Sequence, residues 1–222
     1  MNSALIRFGI PALLFGAIAY VVYAADWGSS TPEQAEDADS SASGREVMPM
    51  DGARLDQFAR DALKKLSVTK EERYFPDVEL EGPTGAPIRL TDLDADILVV
   101  NFWEVYCPPC VHEMPTLADL QDRYPQDEVK VVALNFNTPK DLQLGRDKLD
   151  ELTDGRLEFY RAPDLNLLFD VKARGFPTTL IYNRDGRELA RLEGDADWAS
   201  GESFALFDYL LAARPRPKTQ NP

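Results

Sequence analysis

Residues 97–115 read ILVVNFWEVYCPPCVHEMP, a strand-like run that passes through a Cys-Pro-Pro-Cys turn into a helix. Ile97 to Phe102 is apolar except for Asn101, as in a strand covered on both faces. From Cys107 to Tyr124 the apolar positions Val111, Met114, Leu117, Ala118 and Tyr124 recur at helical spacing. Pro108 and Pro109 suit a first turn, whose N–H groups have no intrahelical acceptor. Those free N–H groups and the positive end of the helix dipole stabilise a thiolate at the helix start. A cysteine so placed titrates below the free value of about 8.5. Cys107 is therefore the expected nucleophile, and Cys110, sheltered one turn in, the resolving thiol.

Cys107 and Cys110 are the only 2 cysteines and His112 the only histidine, so a disulfide-stapled scaffold is excluded. A self-contained Cys/His zinc site is excluded on the same count, and no metal ligands are assigned. A purely structural bridge is disfavoured, because closing so short a loop removes little chain entropy. His112 invites a copper reading, yet it lies about 200° around the helix from Cys110 and reads as a solvated surface residue.

Outward from this stretch, Val78–Leu80 and Ile88–Leu90 flank Gly82-Pro83-Thr84-Gly85 and predict a hairpin. Val129–Asn135 reads as a second buried strand. Residues 141–152 and 163–172 read as helices around a short strand at 157–160. Thr178–Tyr182 and Glu188–Leu192 form a hairpin through Asn183-Arg184-Asp185-Gly186, and a helix over 198–211 closes the domain. Strands alternating with helices predict an α/β fold, a mixed central sheet flanked by helices. Before it, Leu55, Phe58, Ala59, Ala62, Leu63 and Leu66 stand at helical spacing, so residues 50–73 are expected to be an amphipathic helical lead-in.

The N-terminus is of another kind. Phe8 to Ala25 carries no charge and, at about 1.5 Å per residue, is long enough to cross a bilayer. Arg7 on one side and Asp26 on the other place Met1 in the cytoplasm and the rest outside. Residues 1–25 are expected to be a single-pass anchor in the inner membrane; cleavage as a signal peptide after Val22-Tyr23-Ala24 is the alternative. Residues 26–49, rich in Ser, Ala, Asp and Glu, read as a disordered acidic linker, and 214–222 as a disordered tail. The net charge of −14 argues against nucleic acid, because neutralising phosphates needs clustered Lys and Arg.

Val99 to Trp103, Tyr106 to Cys110 and Glu113-Met114-Pro115 together resemble the TlpA/ResA family of membrane-anchored thioredoxin-like proteins. Gly175-Phe176-Pro177-Thr178-Thr179 resembles the family's cis-proline loop, and Gly194 to Trp198 is similar to the stretch leading into its last helix. The resemblance covers residues 74–213. It implies a thioredoxin-like fold with an N-terminal hairpin and a central helical insertion within 139–172. It implies a periplasm-facing reductase whose redox-active Cys107–Cys110 pair needs no other cofactor. Substrates would be proteins with disulfides or thiols, in cytochrome c maturation or copper-centre assembly, and electrons would come from a membrane donor of DsbD or CcdA type. Glu113 would serve proton transfer at Cys110, since Asn101, neutral where cytoplasmic thioredoxins carry Asp, cannot act as a base. Phe176, a cis Pro177, Tyr106 and Trp103 would line the substrate site. Tyr106 stands where the family shows Trp, and Glu104 where a small residue is usual. A Cu(I)-binding metallochaperone of the same fold is the competing reading, and an oxidase the third.

Overall fold

Strand β4 (Ile97–Trp103) is buried at every residue, and its two faces feed two separate cores. Ile97, Val99 and Trp103 enter one core, while Leu98, Val100 and Phe102 enter the other, as period-two alternation requires. Each fully buried aliphatic side chain contributes about 1.5–3 kcal/mol, so the strand is a firm base for the Cys-Pro-Pro-Cys turn at its end.

The computed structural model describes residues 54–213. The expected anchor over 1–25, the linker over 26–49 and the tail over 214–222 lie outside the described residues. Among the described residues no helix is long and apolar enough to cross a membrane. Around β4 the chain forms β1 (Leu66–Val68), β2 (Leu80–Glu81), β3 (Pro87–Ile88), α1 (Pro108–Arg123), β5 (Val129–Asn135), α2 (Leu142–Thr153), β6 (Phe159–Arg161), α3 (Asn166–Asp170), β7 (Thr178–Asn183), β8 (Glu188–Glu193) and α4 (Gly201–Ala212).

The strands make one mixed sheet in the order β1-β8-β7-β4-β5-β6-β2-β3. β4 pairs parallel to β5, with Ile97 opposite Val129, and antiparallel to β7, with Phe102 opposite Thr178. Met114 and Leu117 of α1, Leu149 of α2 and Leu206 and Phe207 of α4 cover one face, and Leu167 of α3 packs on the other. The expected hairpin is present as β2 and β3. Between β5 and β7 the insertion contributes α2 and β6, and β6 joins the hairpin to the sheet through Glu81 opposite Arg161.

The amphipathic helix expected over 50–73 is corrected by the structure over the described residues 54–73. In its place stand two 3-10 turns, Leu55–Phe58 and Asp61–Leu63, followed by β1. Asp61 sits at φ 45°, in the left-handed region, which no α-helix passes through. Leu55, Phe58, Leu63 and Leu66 still reach the core, because tight turns bring them inward as well as a helix would. β1 then pairs with β8, Leu66 opposite Leu192.

Candidate active site

The C-terminal end of β4, the start of α1 and the start of β7 lie at one end of the sheet, set there by the Phe102–Thr178 register. Cys107 is the N-cap of α1, and its Sγ accepts the Cys110 N–H at 3.3 Å. Pro108 occupies the first helical position, as its missing N–H allows. The two cysteines form a disulfide with Cα atoms 5.3 Å apart. Cys107 keeps 7% of its surface exposed and Cys110 none, the order expected of an attacking and a resolving sulfur.

Glu113, on the same helix face one turn after Cys110, is fully buried. Its Oε1 accepts from Asn101 Nδ2 at 2.7 Å; its Oε2 accepts from the Ala196 N–H and from Trp198 Nε1, both at 3.1 Å. Burial pushes its carboxyl up to about 7, against the three donors, which favour the carboxylate. An exposed first-turn acid would behave otherwise. Asn101 also donates to Thr179 Oγ1 at 2.9 Å across the β4–β7 pair.

The Phe176–Pro177 peptide bond is cis. Pro177 is buried immediately before β7, and the half-buried Phe176 packs on the core containing both cysteines and against Phe136, ring centroids 5.2 Å apart. Tyr106 is 64% exposed, with its hydroxyl donating to Asp141 Oδ1 at 3.3 Å. Trp103 is a correction: it has no exposed surface and lies in the core, so it cannot line a substrate site. Its odd-numbered place in β4 turns it inward toward α1, as alternation dictates. His112 is exposed, as expected. Among the described residues no group of His, Cys, Asp and Glu is arranged to hold a metal ion.

Four contributors escaped the sequence reading. Thr179, Ala196 and Trp198 surround the Asn101–Glu113 pair from distant segments; they fall within the two stretches marked by resemblance, but nothing in their spacing ties them to Glu113. Asn137 Oδ1 accepts the Val105 N–H at 3.2 Å and an Asn135 Nδ2 hydrogen at 2.7 Å, bracing the turn before Cys107. The close approach of α2 to this pair explains Gly145, where a Cβ would stand 3.3 Å from the Asn135 amide.

A paired dithiol capping a helix after a buried strand, with a cis-proline loop at the same end of the sheet, defines a thioredoxin-like thiol–disulfide exchange site. The comparisons agree. The AhpC/TSA family model matches residues 72–186. The thiol-disulfide oxidoreductase ResA of Halalkalibacterium halodurans is 34% identical over 115 residues, which span 48% of this chain and 59% of that protein. ResA of Bacillus anthracis is 35% identical over 134 residues, 60% of this chain and 73% of that protein. A DsbF homologue from Corynebacterium diphtheriae, 20% identical, superposes with a TM-score of 0.53 over 65% of this chain and 92% of its own, a likeness of fold. The chain belongs to the AhpC/TSA family, as a thiol–disulfide oxidoreductase of the ResA type.

Proposed function

We propose that the chain is a protein-disulfide reductase working outside the cytoplasm, tethered to the inner membrane by residues 1–25 and facing the periplasm. Cys107 is the nucleophile, Cys110 the resolving thiol and Glu113 the group that moves the proton at Cys110. The observation that carries this reading is the Cys107–Cys110 disulfide at the start of α1, on the same domain end as the cis Pro177, with Glu113 buried one turn on and its carboxyl raised to about 7, a value suited to proton transfer near neutral pH.

In the reducing direction, the Cys107 thiolate attacks one sulfur of a substrate disulfide. A mixed disulfide forms, and the other substrate sulfur leaves as a thiolate and takes a proton from water. Glu113 accepts the Cys110 proton, and the Cys110 thiolate attacks Cys107 Sγ. The second substrate sulfur leaves and is protonated, and two electrons have passed to the substrate. The dithiol carries both electrons, so the balance needs no other cofactor. Each turnover ends in the Cys107–Cys110 disulfide, which a dithiol donor in the membrane, of DsbD or CcdA type, must reduce. Tyr106, Phe176 and the backbone beside Pro177 hold an extended substrate segment by strand-like pairing. The substrates are extracytoplasmic proteins of cytochrome c maturation or copper-centre assembly.

The test is trapping. Cys110→Ser leaves the first intermediate without its resolving thiol, so it accumulates mixed disulfides with envelope proteins, and Cys107→Ser captures far fewer. The adducts stay in the membrane fraction if residues 1–25 are retained. A Cys110→Ser protein that traps nothing, while the wild type binds Cu(I) tightly and fails to reduce insulin, overturns the reading in favour of a carrier.

A further inference from the structure

The segment from Gly194 to Trp198 touches the catalytic end of the molecule at three places. The Gly194 N–H donates to the Pro177 carbonyl at 2.8 Å, so the segment begins on the cis-proline loop. The Ala196 N–H and Trp198 Nε1 both donate to Glu113 Oε2 at 3.1 Å. The Trp198 N–H then donates to Thr116 Oγ1 at 3.0 Å, and that hydroxyl donates to the Glu113 carbonyl at 2.7 Å. The Trp198 ring is fully buried among the core side chains, 6.5 Å from Phe207, so its N–H is aimed by packing.

The outer side of this segment is anchored as well. Asp195 pairs with Lys65 at 3.2 Å, which holds the Asp195 carboxyl below its usual range. Gly194 sits at φ 91°, and a Cβ there would fall 2.8 Å from Lys65 Nζ. The conformation is what requires glycine, since the Lys65 chain end can swing aside.

We infer that Trp198 is a positioning residue for the proposed proton transfer: with the Ala196 amide it fixes Oε2 of Glu113, leaving Oε1 to exchange the Cys110 proton. The inference rests on the proposed role of Glu113. Oε2 carries two donors and Oε1 only Asn101, so a lone pair on Oε1 stays open to a proton. Cys107 and Cys110, joined here as a disulfide, precede Glu113 on and at the start of α1. On its outer side a shallow cleft is lined by Asp61, Lys64, Lys65, His112, Asp195 and Asp197. β4 and β7 contribute the uncharged Asn101 and Thr179. Asp195 is the nearby acid that opposes ionisation of Glu113, while the Trp198 N–H favours it.

The two substitutions at this segment therefore act in opposite directions. The measurement is the pH profile of mixed-disulfide resolution, followed in single turnover on the full chain with a fluorogenic glutathione disulfide as probe. Glu113→Gln is expected to abolish the inflection that belongs to Glu113. Trp198→Phe, which keeps an aromatic ring and loses the N–H, is expected to raise that inflection by about one pH unit, the scale of one charge-assisted hydrogen bond. Asp195→Asn, on the surface, is expected to lower it, and Trp198→Phe on the Glu113→Gln background is expected to leave the profile unchanged. If Trp198→Phe does not fold, benzothienylalanine at position 198 keeps the indole shape without the N–H. An inflection lost in Glu113→Gln but unmoved by the change at Trp198 overturns this inference alone. One that persists in Glu113→Gln overturns it together with the proposed role of Glu113.

Discussion

Asn101 Nδ2 donates to Glu113 Oε1 at 2.7 Å, so a neutral amide on β4 holds the acid of α1 from below. That amide is what keeps a second charge out of a dry site. Asn101→Asp would set two carboxyls at hydrogen-bond distance, where they share one proton and titrate as a pair. The upper apparent pKa is expected to rise by at least one unit above the value of about 7 for Glu113. Exchange near neutral pH should slow because the base is then protonated. An unchanged pH–rate profile in Asn101→Asp would show that the amide does not govern the site.

Glu113 also links stability to pH. Its carboxyl sits at about 7 in the folded protein against 4.5 for the ordinary group. Between these values the folded state holds the proton that the unfolded state releases, so stability falls as pH rises through the window. Below it both states are protonated and the penalty vanishes. Above pH 7 the full difference applies, about 3 kcal/mol at 1.36 kcal/mol per unit. Urea denaturation of the oxidised protein and of oxidised Glu113→Gln at pH 4.5 and pH 8 measures it. The wild type should lose that much more than the variant, and parallel curves would refute the assignment.

The redox motif was legible because its parts are close in sequence: Cys107 caps the helix that carries Cys110 and Glu113, and one-turn spacing puts Cys110 and Glu113 on one face. The buried strands were equally plain, since β4 and β5 are continuous apolar runs. Trp198 was not legible as a partner of Glu113, because the two are 85 residues apart and only the fold joins them. Trp103 is expected at the substrate site by resemblance, although alternation along β4 sends it into the core. The lead-in misled for a different reason. Leu55, Phe58, Leu63 and Leu66 satisfy helical periodicity, but a chain of tight turns satisfies it too, and Asp61 decides between them.

Arg191 provides a stability test away from the sulfurs. It is nearly buried, donates to both oxygens of the buried Glu188 at 2.7 and 2.6 Å, and caps the carbonyls of Val171 and Lys172. Arg191→Met would leave Glu188 buried with only Thr69 as a donor. The expected loss is about 3–5 kcal/mol, mostly the penalty of an unpaired buried charge. Replacing Glu188 by Leu as well should recover much of it. Hydrogen exchange should quicken at residues 171–173 in the single variant, since their carbonyl anchors are gone. A loss below about 1 kcal/mol would mean the pair is solvated in practice.

The final prediction concerns which sulfur reacts first. Cys107 sits at the N-cap of α1, where its Sγ already accepts the Cys110 N–H, and keeps a small exposed surface; Cys110 has none. In the reduced protein the helix terminus should stabilise the Cys107 thiolate, while Cys110 stays a thiol in an apolar setting until Glu113 takes its proton. Both accessibility and thiolate fraction favour Cys107. Limiting iodoacetamide on the reduced chain, followed by peptide mapping, should place at least about nine-tenths of the label on Cys107, for a tenfold rate ratio corresponds to only about 1.4 kcal/mol. The preference should persist in Glu113→Gln, because the helix start and not the acid activates Cys107. It should shrink in urea, where helix and burial disappear together. Dominant labelling of Cys110 in the folded protein would reverse the order of attack and resolution.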